Sequence, residues 1–78
     1  MTTLADIKAE GRCTVTATAS SSRELQSRLY ALGLYPGVEV VVLRFAPAGD
    51  PMQIRIGGTL LSIRKNEARQ VAVEEYHG

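Results

Sequence analysis

Hydrophobic and polar positions alternate with period two in several short segments of the chain. In residues 11–19, Cys13, Val15 and Ala17 alternate with threonines and an arginine, a pattern typical of a half-buried strand. Residues 38–45 are apolar at most positions, which indicates a strand covered on both faces and central in its sheet. The first half of the chain therefore predicts two strands.

The second half predicts a hairpin. Met52, Ile54 and Ile56 alternate with polar residues and lead into Gly-Gly at 57–58. Such a pair forms a two-residue turn that tolerates positive φ at both positions. Residues 59–64 are then expected to return as the paired strand.

Three shorter segments complete the strand pattern. Residues 46–51 are dense in Pro, Gly and Asp and predict a projecting loop. Residues 65–69 predict one helical turn, and residues 70–74, with Val71 and Val73 on one face, predict a final strand.

One segment has helical period instead. Ser21 as N-cap and Glu24 reaching back to it fit a capping box, and Leu25, Leu29 and Leu32 recur at i, i+4 and i+7. These leucines form a stripe on one face of the helix. We expect this stripe to pack in the core and not to serve as a docking site. The predicted helix is about ten residues long, too short to be stable without tertiary packing.

The helix is expected to end at Gly33, which can adopt the left-handed conformation without a Cβ penalty. Pro36 and Gly37 follow and predict a type II turn before the central strand. Five short strands and one helix after the first strand predict a mainly β fold, a small and partly open barrel. The whole chain, residues 1–78, is expected to form one domain.

Charge and composition narrow the possible partners. Nine basic and eight acidic side chains give a net charge of +1, so the chain lacks the field that gathers nucleic acid, and we expect no nucleic-acid partner. One cysteine cannot form an internal disulfide, which indicates a reducing compartment. No signal peptide or membrane-spanning run is evident, so we expect a cytoplasmic protein without membrane insertion that works at most beside the inner face of the membrane.

Several short motifs follow one another along residues 4–74. Leu-Gly-Leu at 32–34 and Pro-Gly at 36–37 precede a valine-rich strand. The following pieces are Ala-Pro at 46–47, Gly-Asp-Pro at 49–51, Ile54 and Ile56 before Gly57, Leu-Leu-Ser-Ile-Arg at 60–64, Glu-Ala at 67–68, and Val71 with Val73. In this order and spacing the sequence resembles the FeoA family.

The resemblance implies an SH3-like barrel and an accessory role in bacterial ferrous iron uptake. The implied partner is the cytosolic portion of FeoB, the membrane GTPase transporter, whose assembly or activity the protein would modulate. The same fold also forms the C-terminal domain of metal-dependent repressors of the diphtheria-toxin-repressor type. No winged helix precedes it here, so a free-standing domain is expected. The alternative is a general SH3-like peptide-binding or regulatory module unconnected with iron, because fold does not determine function.

Metal and catalytic sites are not predicted. The possible donors are Cys13, Asp50, Glu74, Glu75 and His77, and they lack the short clustered spacing of metal ligands. The sequence also lacks a P-loop, a nucleophile elbow and a plausible Cys–His pair. We therefore expect no cofactor, no metal site and no enzymatic activity.

Aromatic and apolar residues near the connector and the projecting loop are candidates for partner binding. Tyr35, Phe45 and Met52 flank these two segments, where SH3-like barrels often place a peptide groove. Phe45 could equally cap the barrel core. Tyr35 is the stronger candidate, because a tyrosine beside proline in an exposed turn offers contact area at low entropy cost.

Arginines are the other candidates. Arg44, Arg55 and Arg64 lie on or at the ends of neighbouring predicted strands, and Arg55 joins the predicted partner-binding set. One interpretation is that these arginines form a basic stripe that binds an acidic partner. The other is that they lie on a solvated face of the sheet and prevent nonspecific pairing of its edges. The oligomeric state stays open.

Overall fold

The computed structural model describes residues 2–18 and 22–76. A 3₁₀ helix, Leu4–Asp6, precedes five strands and two short α-helices. In chain order these are β1 (Arg12–Thr18), α1 (Arg23–Ala31), β2 (Glu39–Phe45), β3 (Met52–Ile56), β4 (Thr59–Ile63), α2 (Lys65–Ala68) and β5 (Val71–Glu75).

The strands form one antiparallel sheet in the order β4-β3-β2-β1-β5. β2 lies in the middle, which confirms the central position predicted for the valine-rich segment. Register shifts between Val15 and Ala17 and between Val42 and Arg44 increase the local twist of the sheet. The mainly β, open architecture with one helix after the first strand is therefore confirmed.

Helix α1 begins one residue later than predicted. The Ser22 hydroxyl accepts a hydrogen bond from the Leu25 amide at 3.2 Å, so Ser22 is the N-cap. Ser21, the residue predicted for this role, lies outside the described residues. The end of the helix is as predicted, because Gly33 has φ +99°.

Gly33 closes α1 with a paired hydrogen-bond motif. The Gly33 amide donates to the Tyr30 carbonyl at 3.0 Å, and the Leu34 amide donates to the Leu29 carbonyl at 2.9 Å. These two bonds define a Schellman motif and satisfy carbonyls that the helix end would leave unpaired. The chain then turns directly toward β2.

The connector between α1 and β2 is held against β1. The Val38 amide donates to the Tyr35 carbonyl at 3.2 Å, and Gly37 between them has φ +94°, as a type II turn requires. The Gly37 amide also donates to the Val15 carbonyl at 2.8 Å. The predicted turn is therefore confirmed, and its backbone is anchored to the sheet.

The core lies between one face of the sheet, α1 and the N-terminal segment. Leu29 has no exposed surface, Leu25 packs against the core while half-buried, and Leu32 is half-buried outside it. The leucine stripe is therefore confirmed as core mainly through Leu29. The buried cluster consists of Leu4, Ile7, Cys13, Val15, Leu29, Leu34, Val40, Val42, Met52, Ile54, Ile63, Ala68, Val71 and Val73.

The β3–β4 hairpin differs from its prediction in one torsion angle. Gly57 has φ +60°, whereas Gly58 is outside the positive-φ region. Positive φ at the first turn residue alone is the property of a type II′ turn. β4 also ends at Ile63 instead of 64, because Arg64 is the N-cap of α2.

The two outer strands of the sheet differ in how their edges are covered. On the β5 side, Thr3 forms an antiparallel bridge with Ala72, and the Val73 amide donates to the Thr2 carbonyl at 3.0 Å. On the other side, β4 pairs with β3 alone among the strands. The sheet therefore has one protected edge and one open edge.

Candidate functional site

Tyr35 lies in an exposed aromatic pair at the end of α1. Its side chain is 48% exposed, and that of Tyr30, in the last turn of the helix, is 43% exposed. The ring centroids are 6.5 Å apart with the planes tilted by 50°, a geometry in the favourable range for aromatic pairs. Tyr30 and Tyr35, hereafter the tyrosine pair, form an exposed aromatic surface.

Sequence reasoning missed Tyr30. Tyr30 follows Leu29 and belongs to the exposed side of the helix, where a tyrosine adds nothing to an amphipathic pattern. The available signal was its position five residues before Tyr35, with the helix end at Gly33 between them. Because a Schellman motif reverses the chain, residues on either side of such a helix end come close together.

A depression of about 520 Å³ adjoins the tyrosine pair along α1. It is lined by Arg23, Gln26, Ser27 and Tyr30. Its wall is mainly the polar face of the helix, with Tyr30 as the aromatic element. The depression is open and shallow, and it suits contact with a protein surface better than enclosure of a small ligand.

Phe45 and Met52 lie at the opposite end of β2 and pair with each other across the β2–β3 ladder. Met52 has no exposed surface, so it supports Phe45 from within the core and cannot touch a partner directly. Phe45 is half-buried, and the Lys65 ammonium group lies 5.2 Å from its ring centroid, within cation–π range. Of these two predicted residues, only Phe45 has surface to offer.

The structure does not bring Tyr35 and Phe45 together. The seven residues of β2 separate them, a length of about 23 Å at strand geometry. Phe45 instead borders a separate groove of about 330 Å³. Its lining consists of Arg44, Phe45, Ala46, Pro47, Pro51, Gln53 and Ser62.

Arg55 lies on the outer face of the sheet, away from the core. It pairs with Val41 on one side and Leu60 on the other, and Val41 in turn pairs with Arg12. Arg44 lies on the same face, with its Nε donating to Gln53 Oε1 at 2.7 Å. Two members of the predicted basic stripe therefore share a face with Arg12.

The third predicted member, Arg64, is placed differently. It follows β4 directly and caps α2, where its amide donates to Glu67 Oε1 at 3.2 Å. In the part of the chain that the structure describes, the one salt bridge joins Arg28 to Glu67 at 2.6 Å. The arginines of the outer face thus have no acidic partner among the described side chains.

The side chains considered as metal donors are dispersed or already engaged. Cys13 is buried, and burial raises the pKa of its thiol to about 11, which disfavours the thiolate that metals bind. The Asp50 carboxylate accepts from the Lys65 amide at 3.1 Å. No group of three or more His, Cys, Asp or Glu side chains that could hold a metal occurs within residues 2–18 and 22–76. His77 lies outside them.

Loop 46–51 is tied to α2 through Asp50, whose carboxylate accepts from the Lys65 amide. Within the loop, the Gly49 amide donates to the Ala46 carbonyl at 2.7 Å, and the Ala46 amide donates to the Pro51 carbonyl at 2.9 Å. The predicted projecting loop is therefore braced at its base.

Within the described residues, no helix is long and apolar enough to cross a membrane.

Comparison with known proteins places the chain in a family. The model of the FeoA domain matches residues 2–75. No curated protein matches the chain. Among solved structures, FeoA from Chlorobium tepidum is 40% identical, with a TM-score of 0.88 over 99% of this chain and 72% of that one.

Two further solved structures have the same fold. A FeoA-like protein from Clostridium acetobutylicum is 28% identical, with a TM-score of 0.88 over 100% of this chain and 93% of that one. FeoA from Stenotrophomonas maltophilia, described as a prokaryotic SH3 domain protein complexed with zinc, is 26% identical, with a TM-score of 0.83 over 95% and 91% of the two chains. The SH3-like barrel is thereby confirmed, and the chain belongs to the FeoA family, which is linked to ferrous iron transport.

Proposed function

We propose that the protein is a cytoplasmic accessory factor of ferrous iron uptake that binds the cytosolic portion of FeoB and modulates its assembly or activity. The match of the FeoA domain model across residues 2–75 carries the proposal. The Stenotrophomonas relative is described in connection with activation of ferrous iron transport. The role is that of a binding module, without catalysis and without a cofactor.

The surface of the molecule supports a binding role. The tyrosine pair is exposed on a backbone fixed by the Schellman motif and by the hydrogen bond from Gly37 to Val15. Exposed tyrosines on a rigid backbone lose little entropy on binding and are frequent anchors of protein interfaces. Tyr35 and Arg55 stay in the proposed partner-binding set, Phe45 contributes the edge of a second groove, and Met52 is withdrawn because it is buried.

Capture of the transporter tests the proposal. The protein, expressed with an affinity tag in cells that also produce FeoB, should retain FeoB from detergent-solubilised membranes. Tyr35→Ala should lower the affinity about tenfold, as expected for an aromatic anchor. Tyr76→Ala is the matched control, because Tyr76 is 60% exposed and lies on β5's side of the sheet, beyond the last strand.

Iron uptake provides an independent measurement. Deletion of the gene should slow growth when Fe(II) is the only iron source, and the wild-type gene should restore growth. The purified protein should not turn over GTP with Mg²⁺, since the GTPase chemistry belongs to FeoB. Failure to retain FeoB together with normal Fe(II) uptake in the deletion strain would overturn the proposal.

A further inference from the structure

The open edge of the sheet exposes a row of backbone hydrogen-bonding groups on β4. Ile56 and Thr59 close the two-residue hairpin turn, so they form a hydrogen-bonded pair, and every second pair after them does the same. Leu61 and Ile63 therefore exchange hydrogen bonds with β3. The amides and carbonyls of Leu60 and Ser62 point away from the sheet.

These outward groups have no partner in the described part of the chain. No backbone hydrogen bond from another segment reaches Leu60 or Ser62, whereas the opposite edge is covered by the Thr3–Ala72 bridge. Natural edge strands usually carry charges or proline against nonspecific pairing. β4 is Thr-Leu-Leu-Ser-Ile, without either, and Leu60 is 59% exposed.

Positive charge lies next to this edge on the outer face. Arg55 pairs directly with Leu60 across the β3–β4 ladder. Arg44, Gln53 and Ser62 lie in the adjacent row, and the hydrogen bond from Arg44 Nε to Gln53 Oε1 directs the guanidinium toward β4. The acceptors that would neutralise these cations are missing from the nearby described side chains.

Acidic side chains of the outer face are concentrated on the other side of the sheet. Thr14 on β1 pairs with Glu39 of β2 and with Glu74 of β5. On the outer face, Glu39 and Glu74 therefore lie toward the covered edge together with Arg12, whereas Arg44 and Arg55 lie toward the open edge without a carboxylate in their rows. An approaching strand meets both free backbone groups and positive charge at β4.

We infer that β4 accepts an extended acidic segment of the partner as a sixth, antiparallel or parallel strand. Its backbone would exchange hydrogen bonds with Leu60 and Ser62, as in other cases of strand addition. Carboxylates on its outer face would lie about 10 Å from the β3 backbone, a distance that an arginine and a glutamate side chain span together. The inference rests on the proposed function and names the surface and the partner chemistry for it.

A second copy of this chain is the less suitable occupant. β4 is uncharged, so pairing of two β4 strands would satisfy the backbone groups but bring no carboxylate to Arg44 or Arg55. Strong self-association would also have to overcome the arginines gathered on both copies near one seam. An acidic strand satisfies both features of the edge at once.

Solution NMR of the labelled protein tests the edge directly. The probe is a blocked seven-residue peptide that alternates valine and glutamate, and its control carries lysine in place of glutamate. The glutamate peptide should shift the Leu60 and Ser62 amides saturably, and the lysine peptide should bind at least tenfold more weakly. Absence of saturable shifts at β4, shifts confined to the tyrosine pair, or equal binding of both peptides would overturn the inference.

Variants of the edge give the matching controls. Ser62→Pro removes an outward amide and should reduce affinity for the glutamate peptide at least tenfold. Arg55→Glu should reduce it about fivefold at low salt and keeps the inference testable if Ser62→Pro fails to fold. Lys8→Glu, an equal charge change at an exposed position of the N-terminal segment, should leave it unchanged. Concentration-dependent shifts at Leu60 without peptide would assign the edge to a second copy and overturn the acidic assignment.

Capture of FeoB separates this inference from the proposed function. If the wild type and both β4-edge variants, Ser62→Pro and Arg55→Glu, retain FeoB equally, the edge assignment fails and the proposed function stands. If the wild type retains no FeoB but binds the glutamate peptide at β4, the proposed partner fails and the edge assignment stands. Loss of FeoB only in the edge variants supports both.

Discussion

At the scale of single residues, Cys13 shows how the sheet controls the chemistry of a side chain. Its thiol has no exposed surface, and its Sγ lies 3.8 Å from the Val40 carbonyl oxygen. Burial, with smaller contributions from Glu75 and Glu39, raises the pKa of the thiol from 9.0 to about 11. The neutral thiol is therefore the form that the folded state favours.

This shift predicts a pH dependence of stability. Because the folded state holds the proton more tightly, the contribution of Cys13 is complete below pH 9.0 and is lost as the pH rises to about 11. The free energy of unfolding, measured with urea, should fall more over this pH range for the wild type than for Cys13→Ala, which lacks the thiol. Parallel curves for the two proteins would contradict the assignment. The folded wild type should also react with a disulfide reagent at pH 8 far more slowly than the urea-unfolded chain.

The hairpin turn offers a matched test of backbone conformation. Both glycines have open space where a Cβ would be, but only Gly57 has positive φ, at +60°. Gly57→Ala should therefore cost about 1 kcal/mol, whereas Gly58→Ala should change stability by less than about 0.5 kcal/mol. Thermal unfolding of the two variants measures the difference. Equal losses would mean that the turn is not type II′.

At the scale of elements, α1 and α2 are joined by one carboxylate. Glu67 is 8% exposed, and its two oxygens accept from the Arg64 amide at 3.2 Å and pair with Arg28 at 2.6 Å. The α1 helix packs against the sheet mainly through Leu29, so this link fixes the helix at a second point. A single side chain thus caps α2 and orients α1.

The link predicts unequal effects of its two partners. Glu67→Gln should cost about 1–2 kcal/mol, because it weakens the cap of α2 and the ion pair together. Arg28→Met should cost no more than about 1 kcal/mol, since this side chain is mostly exposed, and the loss should shrink in 0.5 M NaCl. Urea unfolding at low and high salt, with the double variant included, measures the coupling. A larger loss from Arg28→Met than from Glu67→Gln would contradict this account.

Elements with local determinants were predictable from the sequence. The period of Cys13 and Val15, the helix end at Gly33 and the turn at Gly37 depend on residues close in the chain, and each is confirmed. The Glu67–Arg28 link depends on how α1 and α2 pack, which no period along the chain encodes. The proximity of Tyr30 to Tyr35 follows from the chain reversal at Gly33, a signal that is local but not periodic. Tyr35 lies in an exposed turn, as expected, whereas Phe45, named with it as a partner-binding residue, lies at the other end of β2; the role of these residues in partner binding stays a prediction.

At the scale of the whole molecule, the N-terminal segment completes the barrel. Leu4 has no exposed surface and Ile7 is 1% exposed, and both belong to the central cluster. The same segment covers the edge of β5 through Thr3 and contacts α2. These few residues are too short a segment to show a hydrophobic period, so their burial could not be predicted from the pattern alone.

A chain that begins at residue 8 should therefore not fold stably. The deletion removes two large side chains from the core, at about 2–5 kcal/mol each, and exposes the backbone of Ala72 and Val73. Since small domains have only about 5–15 kcal/mol of stability, we expect loss of amide dispersion in NMR spectra and no cooperative urea transition. Lys8→Ala, a change at an exposed position of the same segment, should behave like the wild type. If the truncated chain unfolds cooperatively, with a free energy of unfolding within about 1 kcal/mol of that of the full chain, the expectation is wrong. The sheet would then cover the remaining core residues without Leu4 and Ile7.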